Sequence, residues 1–360
     1  MEKRYDYVLW FEECDLKSIP LVGGKNASLG ELLKANIPVP PGFAITTRTY
    51  ERFLEQGNIK KEMFRILKSV KTDDVESGEK ASKTIRTLIE STPISDDLQD
   101  YICEFYRRLS KKCNVPAVPA AVRSSATAED LPGASFAGQQ DTFLWIRGVD
   151  GILNHVKKCW SSLFTARAIY YRAKMGFPHD QVEISVGVQK MANAWTAGVM
   201  FTLNPATGDR STIAIDANFG FGESVVSGEC TPDNFIINKI TDEIIKKSIS
   251  HKTILYTRDP ESHCVIKQSV PSERTDIQCV VDKDAIALAQ IGKRIEKHYG
   301  KPMDIEWAID KDTPGKAKIM ILQSRPETVW SDKKIEPVMK ARSSALEHIC
   351  AGLVTGKKVN

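Results

Sequence analysis

The stretch that decides the reading runs from Val122 to Phe143, VRSSATAEDLPGASFAGQQDTF. It sets Ser124, Ser125, Thr127, Ser135, Gly133 and Gly138 around one arginine, Arg123. That combination suits an anion. Glycines let backbone N–H groups come close to a ligand. The hydroxyls of Ser124, Ser125, Thr127 and Ser135 are able to donate to phosphate oxygens. The Arg123 guanidinium adds a planar fork that is always charged. Glu129 and Asp130 are at odds with a phosphate. They need a compensating cation, or they point away and cap or orient the loop. A plain solvated loop between strand and helix is the alternative for the whole stretch. The arginine and the apolar anchors Phe136 and Phe143 argue against it.

Outward from this stretch, AVPAAVRSS reads as a strand leading into it. Upstream, LVGGKNASLGELLKANIPVPPGFAIT spans Leu21 to Thr46. Its spacing predicts a short helix over Ala27–Ala35, stopped before Pro38, Pro40 and Pro41. Lys25 follows two glycines, but the GxxxxGK[ST] spacing of a phosphate-binding P-loop is absent. A lysine there is placed to reach a phosphate, and an exposed turn lysine would look the same. Helical patterns follow over Glu51–Val70 (broken at Gly57), Lys80–Ser91 and Asp96–Lys112, and a long amphipathic one over Gly151–Met175.

Near Asp180 the character changes to short β-rich runs, ISVGVQKM, AGVMFTLNP, TIAIDANFG and NFIINKI, punctuated by Gly, Pro and Asn. These patterns predict an α/β chain with a mixed lobe over residues 1–180, a sheet-rich lobe over 181–330 and a linker or docking tail over 331–360. The hinge is expected near Phe177–Gln181.

A second polar group lies in DIEWAID, from Asp304, and ILQSRP, which holds Gln323 and Arg325. In each segment alternate residues share a face. If the two strands pair, Asp304, Glu306, Gln323 and Arg325 converge on one side and Trp307 and Ile309 face the core. Glu306 and Gln323 offer the hard oxygens that magnesium prefers, and Arg325 would neutralise a phosphoryl group in transfer. An edge hairpin with a solvated polar face stays open as the simpler reading.

The bulk numbers exclude some classes. The net charge of +4 comes from 50 basic and 46 acidic groups, too small an excess to argue for nucleic acid. Eight cysteines show no CxxC spacing, which reads as buried thiols in a reducing compartment. No apolar run is long enough for a membrane span, and the charged start lacks a signal peptide's apolar segment. The expected location is cytoplasmic.

Several motifs together carry a resemblance. VRSSATAEDLPGASFAGQQDTFL, GGKNASLGEL, GVMFTLNP, GESVVSG followed by PDNF, and DIEWAID with ILQSRP are similar, in the same order, to the N-terminal nucleotide-binding domain of the phosphoenolpyruvate synthase and pyruvate phosphate dikinase family. The likeness runs from about Leu21 to Val329. It implies an ATP-grasp fold, with ATP between two lobes. It also implies roles. Lys25 and Arg123 resemble the residues that contact the phosphates, and the loop Gly133–Gly138 would cover them. Gln189, Lys190 and Met191 match the segment along the adenine. Glu306 and Gln323 resemble the ligands of Mg2+, and Arg325 the arginine at the transferred group. Glu223 and Ser227 fall near the nucleotide with no single role. The family's chemistry moves the β-phosphoryl group of ATP to a histidine on a swivelling domain, giving AMP and phosphate, and the histidine then passes the group to an acceptor.

None of His155, His179, His251, His263, His298 or His348 lies in the family's phosphohistidine context, and the acceptor-binding barrel is absent from this chain. The expected partner is therefore a phosphohistidine-bearing subunit or domain. The start and the tail fit a subunit of a split dikinase such as phenylphosphate synthase. An excised domain of a phosphoenolpyruvate synthase or a rifampin phosphotransferase is the alternative, as is a regulator or a nucleotide-sensing interaction protein without chemistry.

Overall fold

The computed structural model describes residues 7–70, 74–127, 130–131, 134–135, 141–175, 178, 182–262, 264–313 and 315–330. Residues Met1–Glu327 make one compact unit, and a second begins at Thr328.

The first sheet holds β1 (Val8–Trp10), β2 (Gly42–Ile45), β3 (Ala120–Ala126), β6 (Thr142–Ile146) and β7 (Ile184–Lys190), in the order β1-β2-β7-β3-β6. Every neighbouring pair is antiparallel. Between β3 and β6 lies a short ladder of β4 (Asp130–Leu131) and β5 (Ala134–Ser135). In β3 every residue but Arg123 is buried, because small and apolar side chains are covered on both faces. One face takes the helices α2 (Thr47–Gln56), α3 (Lys60–Lys68), α4 (Val75–Ser91), α5 (Asp96–Lys112), α6 (Val149–Ser162) and α7 (Ala166–Met175). Their core includes Phe53, Ile85, Leu98, Ile102 and Trp160 packed with Val122 and Val186.

The helix α1 (Ile19–Lys34) starts earlier than the sequence pattern predicts and is interrupted at Gly23, where φ is 72° and ψ 170°. A Cβ at Gly23 would meet the carbonyl oxygen of Ser125. Gly23 therefore lets α1 pass close against β3. The helix also packs on β7 and β15, so it lies between the two sheets.

The second sheet contains β8 (Ala194–Phe201), β9 (Thr212–Phe219), β10 (Asp233–Asn238), β11 (Ile244–Ser248), β14 (Met303–Asp310) and β15 (Ile319–Pro326), in the order β11-β10-β9-β8-β14-β15. The helix α9 (Asp282–Tyr299) covers one face, burying Leu288 and Ile295 with Phe235, Ile305 and Trp307. Phe11, Val22, Leu29 and Leu32 from the N-terminal segment join this same core. The short helix α8 (Glu223–Val226) and the hairpin of β12 (Ile254–Arg258) and β13 (Val265–Ser269) complete the unit. Two antiparallel sheets with helices and a cleft between them make this a mixed α/β, ATP-grasp-type arrangement.

Two features differ from the sequence reading. The change of sheet falls between Lys190 and Ala194 and not near Asp180, because β7 is the middle strand of the first sheet. Six of its seven residues are buried, and a run buried on both faces carries no alternation to say which sheet it joins. The N-terminal segment is also shared, since α1 contributes to the second core. The expected hinge segment falls largely outside the described residues.

Candidate active site

A cavity of about 690 Å³ lies between the sheets, within the size range of nucleotide and cofactor sites. The first sheet contributes Ala121, Arg123, Leu144 and Gln189 to its wall, and the second contributes Ala197, Glu306 and Leu322. Phe221, Glu223 and Tyr256 line it from α8 and the neighbouring hairpin. The wall is thus mostly apolar, with a few charged groups, the pattern of a site that buries an aromatic base and orients it by a few polar contacts.

Arg123 is where the two sheets meet. Its side chain comes from β3, and its Nη2 donates to Gln323 Oε1 at 2.5 Å and to Glu306 Oε2 at 3.3 Å on the facing strands. Its Nη1 donates to the carbonyl of Leu322 at 2.8 Å. That carbonyl is available through a bulge. β14 and β15 pair Glu306 with Gln323 and then Trp307 with Ile321, so Leu322 is the extra residue. Bulges re-aim backbone and side chains beside sites in this way. Arg123 Nε is buried and has no partner among the described residues.

The same hairpin sets Asp304 directly opposite Arg325. Arg325 Nε and Nη2 each lie 2.8 Å from Asp304 Oδ2. Burial pushes the Asp304 carboxyl above its ordinary range, and Arg325 pulls against that shift. Trp307 and Ile309 are buried in the core of the second sheet. The hairpin therefore presents four polar groups as a cluster, with Asp304 held against Arg325. Sequence reasoning placed Asp304 on the same face as Glu306 but gave it no role. Its position opposite Arg325 was the available signal.

The remaining expected residues divide into groups. Gln189, Lys190 and Met191 all line the cavity, with Lys190 Nζ 3.4 Å from Asp310 Oδ2. Glu223 also lines it, and its Oε2 is buried without a partner among the described residues. Burial raises its pKa, the charge on Glu306 adds to the shift, and Arg123 opposes it. Ser227 is on the same wall.

Lys25 is not among the residues lining the cavity, and its Nζ donates to the carbonyl of Ser124 at 3.1 Å. Ser124 and Thr127, expected as phosphate donors, turn their hydroxyls to backbone carbonyls of Asp141 and Glu183. These short side chains follow their buried strand inward, whereas Arg123 is long enough to cross to the other sheet. Gly133 and Gly138 lie outside the described residues, and Ser135 is described only as part of β5.

No cluster of three or more His, Cys, Asp or Glu residues is poised to hold a metal among the described residues. What the hairpin offers is the Glu306 carboxylate and the Gln323 amide oxygen, side by side. Such a set fits a hard cation that keeps open positions for phosphate oxygens, as magnesium does. It does not fit a closed structural metal cage.

Residues 19–346 match the family model described as "Pyruvate phosphate dikinase, AMP/ATP-binding domain". The chain is 44% identical over 354 residues to the "Probable phosphoenolpyruvate synthase" of Staphylothermus marinus, covering 92% of this chain and 42% of that protein. It is 42% identical to the "Probable phosphoenolpyruvate synthase" of Methanothermobacter thermautotrophicus, covering 99% and 51%. It is 41% identical to the "Phosphoenolpyruvate synthase" of Pyrococcus furiosus, covering 91% and 44%. The chain spans about half the length, or less, of these curated relatives. No helix among the described residues is long and apolar enough to cross a membrane. The chain belongs to the family of pyruvate phosphate dikinase AMP/ATP-binding domains.

Proposed function

We propose that this chain is the ATP-binding half of a dikinase, which passes the β-phosphoryl group of ATP to a histidine on a separate domain or subunit. The observation that carries this reading is Arg123. It reaches from one sheet to Glu306 and Gln323 on the other, beside a largely apolar cavity of nucleotide size. The relatives are named phosphoenolpyruvate synthases, which favours phosphoenolpyruvate synthesis for the complete reaction. A phenylphosphate synthase subunit would share this half-reaction and differ in the acceptor.

In this reading Met191, Phe221 and Leu322 enclose the base, and Gln189 and Lys190 orient it. Arg123 turns its guanidinium to the phosphates. Glu306 and Gln323 would hold Mg2+, which supplies charge neutralisation on the phosphate oxygens when bound. The partner imidazole nitrogen forms the new bond to the β-phosphorus as the bond to the AMP oxygen breaks. Water then takes up the γ-phosphoryl group, so the products are AMP, phosphate and a phosphohistidine. Arg325 stabilises charge that develops only during transfer. Lys25 is proposed to leave the Ser124 carbonyl for the phosphates.

ATP labelled at the β-phosphorus tests this, mixed with the chain and with the remaining segment of a phosphoenolpyruvate synthase relative. Label should appear on the histidine-bearing segment, and AMP should accumulate only when that segment is present. Arg325→Ala should slow labelling about 10²–10³-fold, with ATP affinity within about threefold. Acid-labile, base-stable label on this chain itself would overturn the division of labour.

A further inference from the structure

Among the described residues, five other than glycine have a positive φ. Four are Asn36, Asn58, Asn114 and Asp242, types that tolerate the left-handed region. The fifth is Trp145, with φ 61°. A large aromatic is strongly disfavoured there. Its indole Nε1 carries a second cost, being buried without an acceptor among the described residues. Backbone strain of this kind persists only where the surroundings over-determine it, and it clusters at functional sites.

The surroundings are specific. Trp145 stands in β6, the edge strand of the first sheet, between Leu144 and Ile146, which both line the cavity. Its ring packs at 5.8 Å from that of Phe221, and the Arg258 guanidinium carbon lies 5.2 Å from its centroid. Both partners belong to the second sheet's side. They are braced together, because Phe221 N donates to the Tyr256 carbonyl at 2.8 Å. Gly220, at φ 76°, lets the chain pass so close to β12 that a Cβ would meet that same carbonyl. A bulge in β6 alone would explain a left-handed residue, and Asn or Gly would serve it. It would not require an indole gripped by the opposite lobe.

We propose that Trp145 is a positioning residue, a clasp through Phe221 and Arg258 that holds the two sheets at the spacing the nucleotide base requires. This rests on the nucleotide reading of the cleft. The strained backbone makes the clasp dependent on its partners, so loss of one partner loosens the strand on the other lobe.

Hydrogen exchange on the free 360-residue chain reads the clasp without any ligand. Arg258→Met keeps the stem and removes the cation. It should speed exchange at residues 142–146 at least about tenfold and leave β1 and β2 unchanged. Calorimetry with ATP and with inorganic tripolyphosphate reads the positioning. Trp145→Asn, a residue suited to the left-handed backbone, should weaken ATP about 5- to 10-fold, in the range of a cation–π contact, and leave tripolyphosphate unchanged. The double variant should bind ATP no worse than Trp145→Asn alone, as coupled residues do. Unchanged exchange in β6, additive losses, or equal weakening of tripolyphosphate would each overturn the proposal. If Arg258→Met gives the exchange result yet the wild-type chain binds no ATP, the proposed function is overturned and, with it, the positioning role.

Discussion

Two ion pairs, one inside the second lobe and one running between the two sheets, use the same chemistry for opposite purposes. Lys252 and Asp233 lie 2.7 Å apart with both side chains fully buried. Asp233 also accepts the backbone N–H groups of Ser250 and Cys279, and Lys252 also donates to the Ser250 carbonyl. Around this pair the oxygens and the ammonium are matched to fixed partners. Arg123 and Glu306 are 3.3 Å apart, but one comes from each sheet and both stay partly open to the cavity. Among the described residues Arg123 Nε is unpartnered, and so is Glu223 Oε2 nearby. A saturated pair fixes the fold. A pair with spare donors and acceptors beside a cavity is available to something else. Burial of charge alone does not tell these apart, since a buried pair is weak evidence for stability while removing one member is costly.

The sharpest way to break this contrast is Lys252→Met. It leaves the Asp233 carboxylate buried with only neutral donors from Ser250 and Cys279, and should cost about 3–5 kcal/mol in urea unfolding. ATP affinity of the folded protein should stay within about twofold. If the variant loses nucleotide binding with little loss of stability, the pair belongs to the site and the comparison fails.

Arg123→Ala should do the reverse. Charge-assisted hydrogen bonds are worth about 1.5–3 kcal/mol each, so ATP affinity should fall roughly 10- to 150-fold by calorimetry. Unfolding should shift by less, because Glu306, the charge left behind, lines the cavity and keeps access to water. Equal binding of ATP and adenosine by the wild-type chain would show that the guanidinium does not read the phosphates.

Much of this site was legible in the sequence, and the exceptions have physical causes. Period-2 alternation in DIEWAID and ILQSRP was enough to bring Asp304, Glu306, Gln323 and Arg325 to one side of a hairpin. The bulge at Leu322 was not legible, since it depends on a register that any residue could adopt, yet it exposes the carbonyl that Arg123 grips. The composition of the Arg123 stretch reads as an anion site. Which of its hydroxyls face inward was set by strand pairing, and Ser124 and Thr127 turned to backbone carbonyls. In sequence Ile184–Lys190 reads as the start of the second lobe, because a strand buried on both faces carries no mark of its sheet. Trp145 carried no signal at all. Local propensity places Asn or Gly at a left-handed position, and only contacts from the other lobe explain a tryptophan there.

A third pair completes the comparison at its exposed limit. Lys34 Nζ and Asp15 Oδ2 lie 2.9 Å apart on the surface. Asp15 also caps the short turn Leu16–Ser18, accepting from the N–H groups of Lys17 and Ser18. The hydrogen bond from Lys34, aided by the Ser18 hydroxyl, holds its carboxyl down at about 2, against an ordinary value of 3.8. A depressed folded-state value means the unfolded chain binds the proton more readily. The stabilisation is therefore present above pH 3.8 and is lost as pH falls through about 2. Asp15→Asn keeps the cap, since Asn caps as well as Asp, and removes only the charge. Because water and salt screen an exposed pair, its melting temperature at neutral pH should lie only slightly below wild type. The two curves should converge between pH 4 and 2. A gap that does not change with pH would assign the loss to capping geometry, and one as large as that of Lys252→Met would erase the distinction between an exposed pair and a buried one.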